Sequence, residues 1–298
     1  MNDARSPGAA PDPAENPAVP AATLRGWLET AVQAARAGAA ELMQRRHSPA
    51  VSEKGPRDLV TDADLASQTV IRRILAETYP DHAFVGEEEG ENDPPPGVAA
   101  GSSQAPPCWI VDPLDGTVNY VHRLQSFAVS IGCFYQGQLV VGVVYDPVRE
   151  EMYTATRGGG AQRNGERLQA SGCETIEEAL FACSFAAGVQ RDSIEVERFV
   201  AVLERCRSLR RLGSCALNLC YVGAGNLDGY WAASVKSWDA AAGALIATEA
   251  GASLTMIDGS PLDIWQPKFA VSASPRLHQQ LIETLAAARQ ERDAGPPA

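Results

Sequence analysis

The feature that most constrains the fold of this chain is an apolar run, Trp109-Ile110-Val111, that stops at a bend bearing Asp112 and Asp115. Such a run is typical of a buried strand, and Pro113 lacks the N–H that a strand ladder needs, so we expect the strand to end there. Gly116-Thr117 then indicates a turn that opens into a helix. The sequence therefore predicts a buried strand, an acidic bend and a helix start in close succession.

The two carboxylates of this bend favour a metal and phosphate site. Side chains three residues apart on a tight bend can point to one side and share a hard cation such as Mg2+, which takes oxygen ligands and leaves room for a substrate phosphate. The N–H groups of Gly116 and Thr117 can bind an anion beside the metal. Asp-Pro and Asp-Gly are also common in surface turns that have no function, so the rest of the chain has to decide.

The composition excludes several classes of protein. With 298 residues, of which 45% are hydrophobic and 21% charged, the chain resembles an ordinary globular protein of one large or two smaller domains. A net charge of -12 argues against a nucleic-acid-binding surface, which needs a basic patch. We find neither an apolar run of membrane-spanning length nor a signal-peptide pattern. We therefore expect a cytoplasmic protein without a nucleic-acid or membrane partner.

Cysteine and histidine give no sign of a zinc site. The seven cysteines are odd in number and contain no Cys-x-x-Cys pair, which is typical of buried thiols in a reducing compartment. The four histidines are too scattered along the chain to form a ligand motif.

Hydrophobic periodicity divides the chain into two halves between polar tails. Residues 1–19 are predicted to be disordered, 20–168 to form an N-terminal α+β half, 169–289 a C-terminal α/β half, and 290–298 a frayed tail. Residues 90–107 are rich in Pro, Gly and Ser and are predicted to form a mobile surface excursion. The triple glycine 158–160 is predicted to be a flexible turn rather than a phosphate loop, because no Lys-Ser/Thr follows it.

Three further acidic positions stand where folds often present ligands, although each has an ordinary structural explanation. Asp64 follows Thr61 at the spacing of a helix capping box. Glu87 lies in a triple glutamate after a short apolar strand, and such a run is usually a solvated turn. Asp239 stands in the first turn of a predicted helix, where the helix dipole favours a carboxylate.

The order of these motifs carries a family resemblance. Asp112-Pro113-Leu114-Asp115-Gly116-Thr117-Val118-Asn119 resembles a signature of the inositol monophosphatase family of metal-dependent phosphatases, and Ser237-Trp238-Asp239-Ala240-Ala241-Ala242-Gly243, followed by Glu249-Ala250-Gly251, resembles a second one. With the acidic stretches at 58–64 and 86–88, the similarity spans about residues 20–285. The resemblance implies the layered αβαβα sandwich of the inositol monophosphatase and fructose bisphosphatase type. It also implies a lithium-sensitive, Mg2+-dependent phosphate monoester hydrolase that forms a homodimer.

The resemblance also implies a role for each matching residue. Two or three Mg2+ would be held by Glu87, Asp112, the carbonyl of Leu114, Asp115 and Asp239, and a metal pair about 4 Å apart can stabilise an in-line displacement. The catalytic residues would be Asp64, Thr117 and Glu87, with Thr117 and Asp64 activating the attacking water. The substrate contacts would be Gly116, Thr117, Gly213, Ser214, Cys215 and Asp239. Because crowded carboxylates repel each other, we expect Mg2+ to raise thermal stability.

The natural leaving group stays open at the level of sequence. The inositol-specific members have an acidic residue at the position of Ala232, and Lys236 is expected to meet an acidic or differently shaped leaving group instead. Inositol phosphate, histidinol phosphate, other sugar phosphates and nucleotide 3'-phosphates all remain candidates. A non-catalytic, metal-binding interaction protein is a further alternative. An aspartyl-phosphate mechanism of the haloacid dehalogenase type is disfavoured because its two aspartates are two residues apart, and Ser-His-Asp hydrolysis lacks its Gly-x-Ser-x-Gly motif.

Overall fold

Helix and sheet alternate in layers through the part of the chain that the computed structural model describes, residues 19–55, 58–89, 94–98, 105–186 and 188–294. The helices are α1 Ala21–Arg45, α2 Asp62–Thr78, α3 Thr117–Val121, α4 Ile194–Leu203, α5 Cys215–Gly223, α6 Ser237–Glu249 and α7 Pro275–Ala294. The strands are β1 Val51–Gly55, β2 Asp58–Thr61, β3 Ala83–Gly86, β4 Cys108–Asp115, β5 Ala128–Tyr135, β6 Gln138–Asp146, β7 Glu151–Thr156, β8 Gly160–Arg163, β9 Glu166–Arg167, β10 Leu180–Ser184, β11 Ser208–Arg210, β12 Gly229–Ala232, β13 Ser253–Met256 and β14 Phe269–Ser272.

The first layers are α1 and α2, packed on a sheet whose described strands run in the order β3-β4-β5-β6-β7-β8-β9. Strand β3 pairs with β4 in parallel, and the following pairs are antiparallel. The apolar stripe of α1, including Trp27 and Leu42, is buried against this sheet. At Gly38 a Cβ would come within 2.6 Å of Ile71 Cδ1, so glycine is needed where α1 crosses α2.

The middle layer is formed by α5 and α6, which lie between the two large sheets. Helix α6 approaches the first sheet closely because glycines replace side chains on β5 and β6. A Cβ at Gly132 would lie 2.8 Å from Ala241 Cβ, and one at Gly142 would lie 2.6 Å from the carbonyl oxygen of Ala242. Since van der Waals contact needs more room than this, only glycine permits the spacing. The result is that the start of α6 is brought against the sheet that contains β4.

The second large sheet has its described strands in the order β11-β10-β12-β14-β13. Strands β11, β10 and β12 are mutually parallel, whereas β14 pairs antiparallel with β12 and β13. Its outer face is covered by α4 and α7 through a cluster that includes Val202, Leu281 and Leu285. The αβαβα layering that the family resemblance implies is therefore confirmed.

The ends of the chain differ from prediction. Residues 290–294, predicted as part of a frayed tail, continue α7 to Ala294. Gln290, Glu291 and Arg292 are good helix formers, and the first helix-breaking residues are Gly295 and Pro296, so a polar composition alone does not end the helix. Val19, assigned to the N-terminal tail, packs against the cluster beneath α1. Residues 1–18 and 295–298 lie outside the described residues.

Three smaller points complete the description of the fold. Most of the predicted excursion at residues 90–107 lies outside the described residues, but Val98 within it is buried in the central core. The seven cysteines are all unpaired, as expected, and five of them are buried. None of the described helices has the length and apolar character that crossing a membrane requires.

Candidate active site

The acidic bend is built by an irregularity at the end of β4. The strand continues through Pro113 to Asp115 instead of ending at the proline, because its pairing with β5 shifts between Asp112 and Asp115 and the ladder needs no N–H from Pro113. Gly116 then takes a left-handed φ of 96°, and a Cβ there would lie 2.9 Å from the carbonyl oxygen of Ser126. Helix α3 begins at Thr117 and has only five residues.

Three aspartates converge at this bend. Asp112 and Asp115 come from β4 and Asp239 from the first turn of α6, and one carboxylate oxygen of each lies within 4.8 Å of the others. Asp112 is oriented by the N–H of Leu114, which donates to Asp112 Oδ1 at 2.9 Å. Asp239 Oδ2 accepts from the N–H of Lys236 at 2.6 Å. A compact set of carboxylate oxygens is the donor set that a hard divalent cation requires.

Without a bound cation, it is unfavourable for all three aspartates of this cluster to be ionised. Burial, reinforced by the charges of Asp115 and Glu87, raises the pKa of Asp239 to about 8. Burial, with the charges of Glu87, Asp115 and Asp239, raises the pKa of Asp112 well above its usual value. Each carboxylate therefore disfavours ionisation of its neighbours, and a bound divalent cation would reverse that effect.

Asp115 is held by the beginning of α5. Its carboxylate accepts hydrogen bonds from the hydroxyl of Ser214, from the N–H of Cys215 at 3.1 Å and from the N–H of Ala216 at 2.8 Å. These donors partly offset the effect of burial, which raises the pKa of Asp115 to about 6. Ser214 and Cys215 were predicted as substrate contacts, and in the structure their hydroxyl and amide orient a carboxylate of the cluster.

The loop before α5 is held in place by the side chain of Asn119, which lies on α3 just after the acidic bend. Asn119 Nδ2 donates to the carbonyl oxygens of Ser126 and Leu212, both at 2.8 Å. Gly213 has a φ of 82°, and a Cβ there would lie 2.7 Å from Asn119 Nδ2. Glycine is therefore required at Gly213, and Asn119 ties the two halves of the chain together beside the cluster.

Glu87 reaches the cluster from the end of β3. Its carboxylate is paired with the side chain of Lys54, a residue to which sequence reasoning assigned no role. Lys54 Nζ donates to Glu87 Oε1 at 3.2 Å and to Glu88 Oε1 at 2.6 Å. Burial lowers the pKa of Lys54, but the charges of Glu87 and Glu88 outweigh it and raise that pKa above its usual value. Lys54 lies on β1, which pairs antiparallel with β2. The signal in the sequence is the scarcity of lysine, since Lys54 is one of only three lysines in the chain.

Asp64 caps α2 and also contacts Thr117. Its Oδ2 accepts from the N–H of Thr61 at 2.8 Å and from the Thr61 hydroxyl at 2.5 Å, which completes the predicted capping box of α2. Its Oδ1 accepts from Thr117 Oγ1 at 3.3 Å, and Thr117 Oγ1 also lies 3.1 Å from the carbonyl oxygen of Leu114. Burial raises the pKa of Asp64 to about 6, and the bonds from Thr61 partly oppose that rise.

Comparison with known proteins gives a consistent result. A family model described as the inositol monophosphatase family matches residues 23–291. The chain is 40% identical over 269 residues to the Nus factor SuhB of Pseudomonas aeruginosa, covering 88% of this chain and 96% of the relative. It is 35% identical over 280 residues to the inositol-1-monophosphatase of Synechocystis, covering 93% and 94%. The structure of inositol monophosphatase from Anabaena (Nostoc) sp. PCC 7120 superposes with a TM-score of 0.76 at 30% identity, covering 89% of this chain and 97% of that one.

Proposed function

Because the chain belongs to the inositol monophosphatase family and is a phosphoric monoester hydrolase, we propose that it releases phosphate from a small phosphorylated alcohol with Mg2+ as its metal. The observation that carries the proposal is the convergence of Asp112, Asp115 and Asp239 within 4.8 Å at the junction of β4 and α6. Carboxylates so close together fit a divalent cation better than any other ligand, since they repel one another without it.

The residues that would hold two or three Mg2+ are Glu87, Asp112, the carbonyl of Leu114, Asp115 and Asp239. When bound, the ions supply Lewis-acid activation of the phosphate and of the attacking water, and they stabilise the leaving oxygen. The protein contributes orientation: the start of α5 fixes Asp115, and the N–H of Lys236 fixes Asp239. The amides of Gly116 and Thr117 would bind the phosphate beside the cluster.

Thr117 and Asp64 would move the proton of the attacking water. In this scheme the water gives a proton to Thr117 Oγ1 while the Thr117 hydroxyl passes its own proton to Asp64 Oδ1, which it contacts at 3.3 Å. With a pKa of about 6, Asp64 is mainly ionised near neutral pH and is basic enough to accept that proton. Glu87, next to Asp112, would assist as a ligand that keeps the water in place.

Several finer properties belong to the same proposal. We expect inhibition by lithium, a cytoplasmic location and a homodimer. The exposed apolar side chains of Val118 and Leu124, 52% and 56% exposed beside the site, support an interface there. Light scattering would test the homodimer, and titration of phosphate release with LiCl would test the inhibition.

Lys236, which is exposed at the start of α6, is expected to influence the choice of leaving group, and an unchanged substrate ranking in Lys236→Ala would contradict that.

A second candidate is a binding role in which the chain is mainly a non-catalytic, metal-binding interaction protein. Relatives 38% to 40% identical to this chain, from Pseudomonas aeruginosa, Escherichia coli and Salmonella typhimurium, bear the name Nus factor SuhB. That name favours an interaction with other macromolecules as the alternative, although the net charge of -12 does not favour direct nucleic-acid binding.

The experiment that tests the proposal measures phosphate release from inositol phosphate, histidinol phosphate, another sugar phosphate and a nucleotide 3'-phosphate, with and without Mg2+. We expect release that requires Mg2+ and is abolished in Asp112→Asn. Asp258→Asn, at an exposed aspartate in a turn after β13, is the matched control and should retain full activity. A folded, Mg2+-binding protein that releases phosphate from none of the four substrates would favour the binding role.

A further inference from the structure

Three helices begin at one edge of the second large sheet. Strands β10, β11 and β12 are parallel, and each is followed along the chain by a helix, α4, α5 and α6 respectively. The carboxyl ends of parallel strands meet at one edge, and this is where α/β folds bind ligands. The starts of α5 and α6 already supply the groups around Asp115 and Asp239. The start of α4 therefore lies at the same edge, beside the place where the alcohol half of a phosphate ester must lie.

Glu195, in the first turn of α4, is tied to this edge by a hydrogen bond. Ser234 Oγ donates to Glu195 Oε1 at 2.6 Å. Ser234 lies in the connection from β12 to α6, two residues before Lys236, whose N–H contacts Asp239 at 2.6 Å. Two residues of chain span at most about 7 Å. The carboxylate of Glu195 is thus linked to Asp239 through the short segment 234–236.

A cation and an aromatic ring follow the other two strands of the same edge. The guanidinium carbon of Arg211 lies 4.5 Å from the ring centre of Phe185. Phe185 directly follows β10, and Arg211 directly follows β11. Because the strand order is β11-β10-β12, Arg211 and Ser234 follow the strands on the two sides of β10. Both an acidic and a basic side chain therefore stand where the strands of this edge end.

We infer that Glu195 is a specificity-determining residue whose carboxylate accepts hydrogen bonds from the hydroxyl groups of a polyhydroxylated leaving group. This inference rests on the proposed phosphatase function. A carboxylate that accepts one bond from Ser234 keeps further acceptor sites for other donors. A site built to bond a substrate hydroxyl discriminates strongly against an alcohol that lacks it, because the polar group is then left without its partner. Ser234 acts as a positioning residue for Glu195.

The test compares kcat/KM for myo-inositol 1-phosphate with kcat/KM for phenyl phosphate, which has no hydroxyl on its leaving group, in the Mg2+-loaded enzyme. Glu195→Ala should lower the value for the polyol ester about 10- to 100-fold, the range for a hydrogen bond to a charged group, and leave that for phenyl phosphate unchanged. Glu195→Gln keeps the shape but replaces the carboxylate by a weaker neutral acceptor, so its loss should be smaller. Ser234→Ala should act in the same direction through KM.

The matched control is Glu204→Ala, at an exposed glutamate just beyond the far end of α4, which should change neither value. Equal losses for the two esters, or none for the polyol ester in either Glu195 variant, would overturn the inference and leave hydrolysis itself intact. A selective loss for phosphoethanolamine instead would assign Glu195 to an ammonium group and also overturn it. If the wild type hydrolyses neither ester with Mg2+, the result contradicts the proposed function and the inference that rests on it. Melting temperatures near that of the wild type establish that each variant is folded.

Discussion

Asp115 and Glu87 belong to the same acidic cluster, but the chain supports them in opposite ways. Asp115 is held by uncharged donors that belong to the start of α5: the Ser214 hydroxyl and the N–H groups of Cys215 and Ala216. Glu87 is held by the ammonium group of Lys54, which comes from the β1–β2 pair and is shared with Glu88. One carboxylate is therefore oriented by a buried helix, and the other is neutralised by a half-exposed cation.

This difference indicates a division of labour. Backbone N–H groups cannot leave the helix to which they belong, so Asp115 keeps its orientation whether or not a metal is present. An ammonium group on a flexible side chain can move away, so Lys54 can compensate Glu87 in the metal-free protein and give way when a cation arrives. The Asp115 side is then preorganised, and the Glu87 side adjusts to the metal.

The largest effect is expected from removing the charge of Asp115, the carboxylate that the start of α5 holds rigidly. Asp115→Asn keeps the shape but places an amide against donors, and it removes a proposed metal ligand. Loss of a group that only orients a ligand costs about 10- to 100-fold in metal affinity or activity, so we expect loss of the ligand itself to exceed 100-fold in kcat/KM. Phosphate-release kinetics measure this effect. An active Asp115→Asn protein with normal Mg2+ affinity would remove Asp115 from the metal site.

The next effect concerns pH and the cluster as a whole. Burial raises the pKa of Asp115 and Asp64 to about 6 and that of Asp239 to about 8, from an ordinary 3.8. At any pH between the ordinary pKa of 3.8 and the raised pKa of a group, that group binds more protons in the folded protein than in the unfolded chain. Each such group therefore contributes stability at low pH that is lost as the pH rises. In EDTA the free energy of unfolding should therefore fall from about pH 4 to 8. Each tenfold difference in proton affinity between the folded and the unfolded chain contributes at most roughly 1.4 kcal/mol to that fall.

Bound Mg2+ should reverse that trend, because it favours the ionised carboxylates. Melting temperatures recorded in EDTA and in saturating Mg2+ across pH 5 to 8 provide the check, and the gap between the two curves should widen with pH. A flat or rising curve in EDTA would show that the cluster does not resist ionisation.

Ser214 allows the rigid side to be weakened without removing a carboxylate. Ser214→Ala removes a buried donor to Asp115 and the cap of α5, since Ser214 Oγ also accepts from the N–H of Leu217 at 3.2 Å. We expect Mg2+ affinity to fall about 10- to 100-fold and stability by about 1 to 2 kcal/mol. Calorimetric titration with Mg2+ and urea unfolding measure the two effects. Ser260→Ala, which removes a serine–aspartate hydrogen bond in an exposed turn, should change neither.

The sequence predicts the two sides unequally, and for a physical reason. The capping box of Thr61 and Asp64 depends on residues close together in the chain, and their spacing predicted it, whereas the αβαβα layering was implied by the family resemblance. The bond between Ser214 and Asp115 joins residues 99 apart, and that between Lys54 and Glu87 residues 33 apart. No local spacing signals such contacts, because they depend on how packed elements meet. Family resemblance supplied the convergence of the carboxylates, but it supplied neither of these supports.

The smallest effect tests the adjustable side. Lys54→Met keeps most of the apolar stem of Lys54 and removes the charge shared by Glu87 and Glu88. In EDTA the repulsion between these carboxylates is then uncompensated, but Lys54 is part-exposed, so the loss should be no more than about 1 kcal/mol, or about 2 °C in melting temperature. In Mg2+ the loss should vanish, because the cation takes over the compensation, and Mg2+ should bind more tightly once its competitor for Glu87 is gone.

Arg73→Met, which breaks the exposed pair between Arg73 and Glu77 on α2, is the matched control and should be insensitive to Mg2+. Thermal melts with and without Mg2+ separate the two variants. Weaker Mg2+ binding in Lys54→Met would mean that Lys54 holds Glu87 in place for the metal rather than competing with it, and the two sides of the cluster would then be equally preorganised.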